Sequence, residues 1–509
     1  MKILSLISLI LTITTTTNVV IVNAQTAKLG QWDFVGDSGI STMHGILSPN
    51  TNKVLFIERA QQITKVTINN KPSFTVEYDL DTNQYRALTT ISNTFCAEAE
   101  KTTVQGFNSI RLFDPCDDGT CDWKEYGYKL AKNRWYPSVE QLADGSLFIL
   151  GGSNVGTAEN DGKKNVPSYE FYPPRGDPVD FPFLVETLPY NLYPSVHLLP
   201  NKNLFIMANK ASIILDTTTW KTAKLPDIPG PPRHYPLTAG TTLLPLSPDN
   251  NYDPEVLVCG GSNRNPKVIN DGYGEKSCGR ISPLSANPKW SMEDMEYGRI
   301  MPDIVLMADG NTLILNGCSR GIAGFDIGKD PILVPVIYKP NGVKGSRMET
   351  MQPSYIPRMY HSIAFTIPSS QVLVSGSNPN SKVTETSAFP TEYRVEIFSP
   401  PFLFTGLPQP EITNAPKTLK YGQKFQIDVT IYKGDNKPKI TSNLLNSGFV
   451  THSTHMSQRQ IFLEVVEHNE NTGKLTLKAP PGSGVAPPGP YLLFVVSDGV
   501  PSVGVWVRV

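Results

Sequence analysis

Net charge is almost missing from this chain of 509 residues: 45 Lys and Arg face 46 Asp and Glu. No basic run stands out, so neither nucleic acid nor an anionic membrane surface is an expected partner. Long apolar runs are scarce too. The one candidate, Ile3–Ile13, is cut off by Thr14–Asn18 and has roughly half of the ~20 residues a spanning helix needs. No apolar tail follows at the C-terminus, which reads Val-Arg-Val, so a lipid-anchor signal is lacking. No Asn-x-Ser/Thr sequon occurs, and N-glycosylation is not expected. Histidine is rare, with seven copies, and no HExxH, Cys/His zinc spacing, Asp-rich calcium loop, GxSxG or phosphate-binding glycine loop is present. Helical periodicity is scarce, while Gly (39) and Pro (44) are plentiful, the profile of short strands joined by tight turns.

What is present begins with an export signature. Lys2 provides a positive start, Ile3–Ile13 an apolar stretch, and Val22-Asn23-Ala24 a small-residue cleavage site before Gln25. Residues 1–24 therefore read as a signal peptide, and the expected location is secreted, extracellular or in the cell wall. Six cysteines in an exported chain should be mostly paired. Cys116 with Cys121 and Cys259 with Cys278 are the two most local pairings, leaving Cys96 and Cys318. A chain this long needs several domains or a repeat architecture.

A weak repeat supplies that architecture. QLADGSLFILGGS (141–153), MADGNTLILNGCS (307–319) and FTIPSSQVLVSGS (365–377) share an apolar stretch, a polar turn, a β-rich run and a small-residue stop. With three weaker copies, the β-runs fall at about 56, 148, 204, 256, 313 and 373, so intervals are about 92, 56, 52, 57 and 60 residues. Intervals near 50 suggest kelch-like blades of a β-propeller. The interval of about 92 is short of two full blades by roughly 20 residues. After EIFSPPFLF (396–404) the pattern changes to short alternating strands: KFQIDVTIY, QRQIFLEVV, KLTLKA, YLLFVV and VGVWVRV, which suit a β-sandwich.

Two histidine settings draw attention: Tyr360-His361 in RMYHS, and His452 with His455 in THSTHMSQR. Neighbouring side chains of an extended segment point to opposite faces. Tyr360 and His361 can therefore share a metal only if the backbone turns there. Taken alone, buried hydrogen-bonded Tyr and His residues are the commoner reading.

NTFCA (93–97), RWYPS (134–138), PSYEFYP (167–173), RMYHS (358–362), EIFSPPFLF and VTH…QR…PPGPYLLFVVSDGVPSVG occur in an order that resembles the glyoxal oxidase branch of the galactose oxidase family. The resemblance covers nearly the whole mature chain. It implies an all-β fold, a seven-bladed kelch-type propeller over 25–405 followed by an immunoglobulin-like β-sandwich over 406–509. It implies one copper ion per chain, held by Tyr136, Tyr360, His361 and His452. Cys96 would form a thioether with Tyr136, the radical ligand; Tyr360 would be the axial tyrosine and catalytic base; His455 falls outside the motif. The implied activity is oxidation of small aldehydes to carboxylic acids, with O2 reduced to hydrogen peroxide that peroxide-using extracellular enzymes would consume. The alternative is a non-catalytic secreted propeller that binds glycans or cell wall. Imidazole and phenolate suit Cu(II) with an open position, and a cross-linked tyrosyl radical can hold the second oxidising equivalent.

Two departures from the family stand out. GGSN places Asn154 where galactose oxidases carry a stacking tryptophan, which leans toward small aldehydes over sugars; Asn154 reads equally as a turn residue. After Cys96 the chain runs CAEAEKTTVQGFNSIRLFDPC, where relatives carry glycines and a full strand. A rebuilt blade, an impaired protein and a segment missing from this sequence all remain open. Cys318 reads as a small buried hydrophobe, and Arg299 with Asp303 as a structural ion pair.

Overall fold

The computed structural model describes residues 29–60, 65–94, 106–125, 127, 129–263, 272–432 and 437–509. The proposed signal peptide and Cys96 lie outside them. Among the described residues no helix is long and apolar enough to cross a membrane.

The chain builds four-stranded antiparallel sets whose first strands are β1 (His44–Leu47), β2 (Ser138–Gln141), β3 (Ser195–Leu198), β4 (Ala239–Leu243), β5 (Asp303–Leu306) and β6 (Ser362–Thr366). Each β-run read from the repeat is the second strand of its set: Lys53–Ile57, Leu147–Leu150, Leu204–Ala208, Val256–Gly260, Thr312–Leu315 and Val372–Gly376. Most of these second strands are buried along their whole length, because both faces of a blade pack on neighbouring blades. That is why they read as short unbroken apolar runs rather than as alternating ones. The last set is closed by Gln31–Asp37, which pairs with Arg394–Ser399, so the two ends of the propeller share one sheet.

A buried arginine recurs ahead of the first strands. Arg134, Arg233, Arg299 and Arg358 each donate to the backbone carbonyl that ends the second strand of the same set or lies just past it: Gly151, Gly260, Asn316 and Gly376. The guanidinium thus satisfies carbonyls that the ladder leaves open at a crowded blade end. Asp303 is not the partner of Arg299. Arg299 turns to backbone carbonyls, while Asp303 lies 3.1 Å from His455 Nε2 and accepts from Asn316 at 2.8 Å, which corrects the expected ion pair.

The seven blades implied by the family are not found among the described residues. Four of the four-stranded sets are separate sheets, and two more are merged into one ten-stranded sheet. Between Leu88 and Ser138 the described residues add only the pair Leu112–Phe113 and Trp123–Lys124. This is the short interval of the repeat.

The C-terminal region forms an eight-stranded β-sandwich. Its long strand Arg459–Asn469 pairs with Ile440–Asn446 through its first half and with Lys474–Lys478 through its second, passing from one face to the other. Before it comes a hairpin, β7 (Phe449–Thr451) and β8 (Thr454–Met456), that leaves the sandwich altogether. β7 pairs with β1 and β8 with β4, which joins two blades into the ten-stranded sheet. The propeller residues Leu199, Phe205, Leu243 and Val256 share one core with the sandwich residues Ile427, Leu444, Leu475 and Leu493.

The local cysteine pairs both form, Cys116–Cys121 and Cys259–Cys278. Cys318 is a free buried thiol that burial pushes up to about 12, as expected of an inert hydrophobe.

Candidate metal centre

Tyr136, Tyr360 and His361 sit where chain enters a first strand, and each solves a directional problem there. The backbone at Tyr136 (φ 58°) and at His361 (φ 66°) is left-handed, a conformation that is costly for residues with a side chain. At His361 this breaks the strand alternation, so that Tyr360 and His361 stack on each other with ring centroids 3.8 Å apart. The turn that shared ligation requires is therefore present. His452 and Ser453 form the two-residue tip between β7 and β8, both at positive φ (49° and 63°), as a tight hairpin of the primed type needs. Strain of this kind collects at functional sites.

These elements bring the four residues together in a buried cluster, each 1–4 % exposed. The hydroxyl oxygens of Tyr136 and Tyr360 lie 2.8 Å apart. The His452 ring stands 4.5 Å from that of Tyr136, 4.7 Å from that of His361 and 5.3 Å from that of Tyr360. His455 is not part of the cluster, being turned to Asp303.

Two tyrosines that the sequence reading passed over belong here. Tyr193 stacks on Tyr136 at 4.5 Å, and the Tyr235 hydroxyl lies 3.2 Å from that of Tyr360. Their signal was available: NLYPS (191–195) and RHYPL (233–237) repeat the Tyr-Pro of RWYPS at the same place in the next two sets. An indole does cover Tyr136, but it is that of Trp135, stacked at 3.4 Å. Asn154 is an exposed turn residue bonded to the Lys163 carbonyl. Phe325 stands edge-on to Tyr360 and His361, 5.2 Å from each, with the Arg59 guanidinium 4.4 Å over its ring.

Burial holds the His361 and His452 imidazoles well below their ordinary range, so both are neutral at physiological pH and have a lone pair to give. For His452 the tautomer follows from its neighbour. Thr451 Oγ1 donates to the Met43 carbonyl at 3.0 Å and so must accept from His452 Nδ1 at 2.6 Å. Nε2 is then the bare nitrogen, and it is buried with no hydrogen-bond partner among the described residues. Burial drives both phenols upward, Tyr136 well above its ordinary value and Tyr360 likewise. Both are neutral until a nearby cation makes the phenolate favourable.

Among the described residues no group of three or more His, Cys, Asp and Glu is arranged to hold a metal. A site here must draw on the phenols. Two imidazoles and two phenol oxygens form a donor set that fits copper better than zinc or calcium. Cys96, the expected partner of Tyr136, lies outside the described residues.

Comparison with known proteins follows the same division of the chain. The family description Glyoxal oxidase N-terminus matches residues 57–402, and Galactose oxidase-like, Early set domain matches residues 409–509. A relative from Vitis pseudoreticulata, Aldehyde oxidase GLOX, is 37 % identical over 457 residues, covering 84 % of each chain. Aldehyde oxidase GLOX1 from Arabidopsis thaliana is 35 % identical over 532 aligned residues, covering 94 % of this chain and 84 % of that one. A solved fungal alcohol oxidase in complex with copper shares the fold with a TM-score of 0.73 at 18 % identity, over 94 % of this chain and 99 % of its own.

Proposed function

The chain belongs to the glyoxal oxidase family of galactose-oxidase-like proteins, and from that premise we propose that it is a secreted copper-radical oxidase of small aldehydes. An aldehyde, taken as its hydrate, loses two electrons and two protons to become a carboxylic acid, and O2 gains them to become hydrogen peroxide. The reading includes a leader over 1–24, a propeller domain over 25–405 and a C-terminal domain over 406–509.

The observation that carries it is the convergence of Tyr136, Tyr360, His361 and His452 in one buried cluster from three distant parts of the chain. These four would hold one copper ion, which when bound supplies one-electron redox chemistry that side chains lack. Tyr360 accepts the proton of the substrate hydroxyl, and the Tyr235 hydroxyl at 3.2 Å orients it. Joined to Cys96, Tyr136 would supply the second oxidising equivalent and take the hydrogen atom from the C–H bond. Trp135 and Tyr193 cover the Tyr136 ring and shield it from water.

A peptide mass map of the protein loaded with Cu(II) in air, followed by a peroxide assay on small aldehydes, tests this. The expected species is a Cys96–Tyr136 cross-link lighter than its parts by two hydrogens, with peroxide formed in step with aldehyde loss. Unlinked peptides and no bound copper would sink the oxidase reading and leave a non-catalytic propeller.

A further inference from the structure

Gln458 and Arg459, the QR of the C-terminal motif, take no part in the metal centre, yet both are buried just past β8. The two arms of the His452 hairpin are held differently. β7 is laid against β1 along its whole length, from Phe449 beside Ile46 to Thr451 beside His44. β8 meets β4 at one place only, Thr454 beside Thr241. Backbone pairing thus fixes the incoming arm, and side chains must fix the outgoing one. His455 Nε2 bonds to Asp303 Oδ1 at 3.1 Å, at the start of β5. Three residues on, the Gln458 amide serves β5 as a neighbouring strand would. Its Oε1 accepts from Leu306 N–H at 3.0 Å, and its Nε2 donates to the Ile304 carbonyl at 2.9 Å and to Thr242 Oγ1 of β4 at 3.1 Å. Arg459 donates to the Leu198 carbonyl of β3 at 2.8 Å and to the Gly484 carbonyl of the C-terminal domain at 2.7 Å. Ser457 N–H donates to Glu140 Oε2 of β2 at 2.9 Å, and Glu140 Oε1 accepts from Leu198 N–H at 3.1 Å. Ser457, Gln458 and Arg459 are therefore tied to β2, β3, β4 and β5.

We infer that Gln458, with His455 and Asp303, is a clamp of positioning residues that sets the place of His452 by holding the outgoing arm of its hairpin on β5. An amide is the one uncharged side chain that offers an acceptor and a two-hydrogen donor at the spacing of a peptide group. Gln458 uses all of these on two first strands, and because it is buried, water cannot replace a bond that is lost. With β7 fixed by its ladder and the outgoing arm by the clamp, the two-residue tip cannot slide along the axis. The His452 ring then stays beside those of Tyr136, His361 and Tyr360. The hold on the hairpin stands on these contacts alone; its consequence for copper rests on the metal centre proposed above.

Amide exchange of residues 449–456 in the metal-free protein, at one fixed pH, reads the clamp directly. Gln458→Met keeps the length of the side chain and removes its three bonds. Protection of the hairpin should fall about five- to ten-fold further than in Leu475→Ala, a cut in the sandwich core that serves as the control for general destabilisation. His455→Leu should loosen the hairpin in the same way, while His455→Gln, whose amide can still donate to Asp303, should stay close to wild type. The copper Kd, measured by chelator competition, should weaken about ten-fold in Gln458→Met and His455→Leu and hold in His455→Gln. Should Gln458→Met fail to fold, the two His455 variants carry the test. Hairpin protection in Gln458→Met equal to that in Leu475→Ala, or His455→Gln as damaging as His455→Leu, would overturn the clamp. A wild type that binds no copper while the variants still loosen the hairpin would overturn the metal reading and leave the clamp standing.

Discussion

The hydroxyl of Thr451 donates to the Met43 carbonyl and accepts from His452 Nδ1, and that pair of bonds selects the bare imidazole nitrogen. Thr451→Val keeps the shape and removes both bonds. Partners of this kind are worth ~10–100-fold in metal affinity. Copper affinity should fall by about that factor, measured by competition with a chelator of known strength, while the secondary structure is unchanged; unchanged affinity would show that the tautomer is fixed by other means. At this scale the sequence was informative about identity and silent about support. Tyr136, Tyr360, His361 and His452 stand in recognisable local strings. Tyr193 and Tyr235 share the Tyr-Pro of RWYPS, a local signal that the motif reading passed over; the role of Thr451 depends on its bond to Met43, far away in the chain, which no local pattern records.

Among the elements, the tight blade ends decide whether the ligands can aim inward. Gly376 closes the second strand of the set that carries His361, at φ 74°. A Cβ there would lie 1.9 Å from the Thr42 carbonyl oxygen and 2.6 Å from that of His361. Gly376→Ala therefore has both a strained backbone and a hard backbone clash, and should cost at least ~3 kcal/mol of stability. Denaturant unfolding is the check, and a loss below ~1 kcal/mol would mean the two blade ends can separate freely. The repeat in the sequence located all six second strands, because burial along most of their length leaves a short apolar run. It did not reveal the hairpin Phe449–Met456, which is short, partly polar and held by strands of two different blades. Nor did it give the blade count, since a merged ten-stranded sheet follows from closure in space.

Across the whole molecule, the shared core and the inserted hairpin tie the two domains into one cooperative unit. Calorimetry should show one unfolding transition; two separated ones would mean that the common core contributes little. Acid should weaken that unit. His44 and His197 are held down to about 3 and His234 to about 4 by burial, so all three are neutral when folded and protonate near 6.5 when unfolded. The unfolded state then binds more protons below pH 6.5, and stability falls as pH drops, by roughly 2 kcal/mol per histidine between pH 6.5 and 5. Glu140 runs the opposite way, its raised carboxyl losing stability as pH rises toward 7. These three histidines outweigh one carboxyl, and the buried His361 and His452 of the copper-free protein act in the same direction, so that protein should lose at least roughly 4 kcal/mol between pH 6.5 and 5. A flat stability profile over that window would show that these rings reach water in the folded state.

Sequence by itself determined the strand-rich class, the repeat, the two most local cysteine pairings as candidates, the change of pattern after residue 404 and, through the family motifs, the residue types of the site. Each of these is written in neighbouring residues, through side-chain period, turn chemistry or short motifs. The tertiary structure alone decided that His452 meets Tyr136 and Tyr360, that its Nε2 is the bare nitrogen, and that Glu140 joins the two strands beneath them. It also decided that Asp303 serves His455 rather than Arg299. These are facts about which segments share the propeller axis. They are set by blade closure and by the hairpin that enters it, and such long-range packing leaves no periodic trace in the chain.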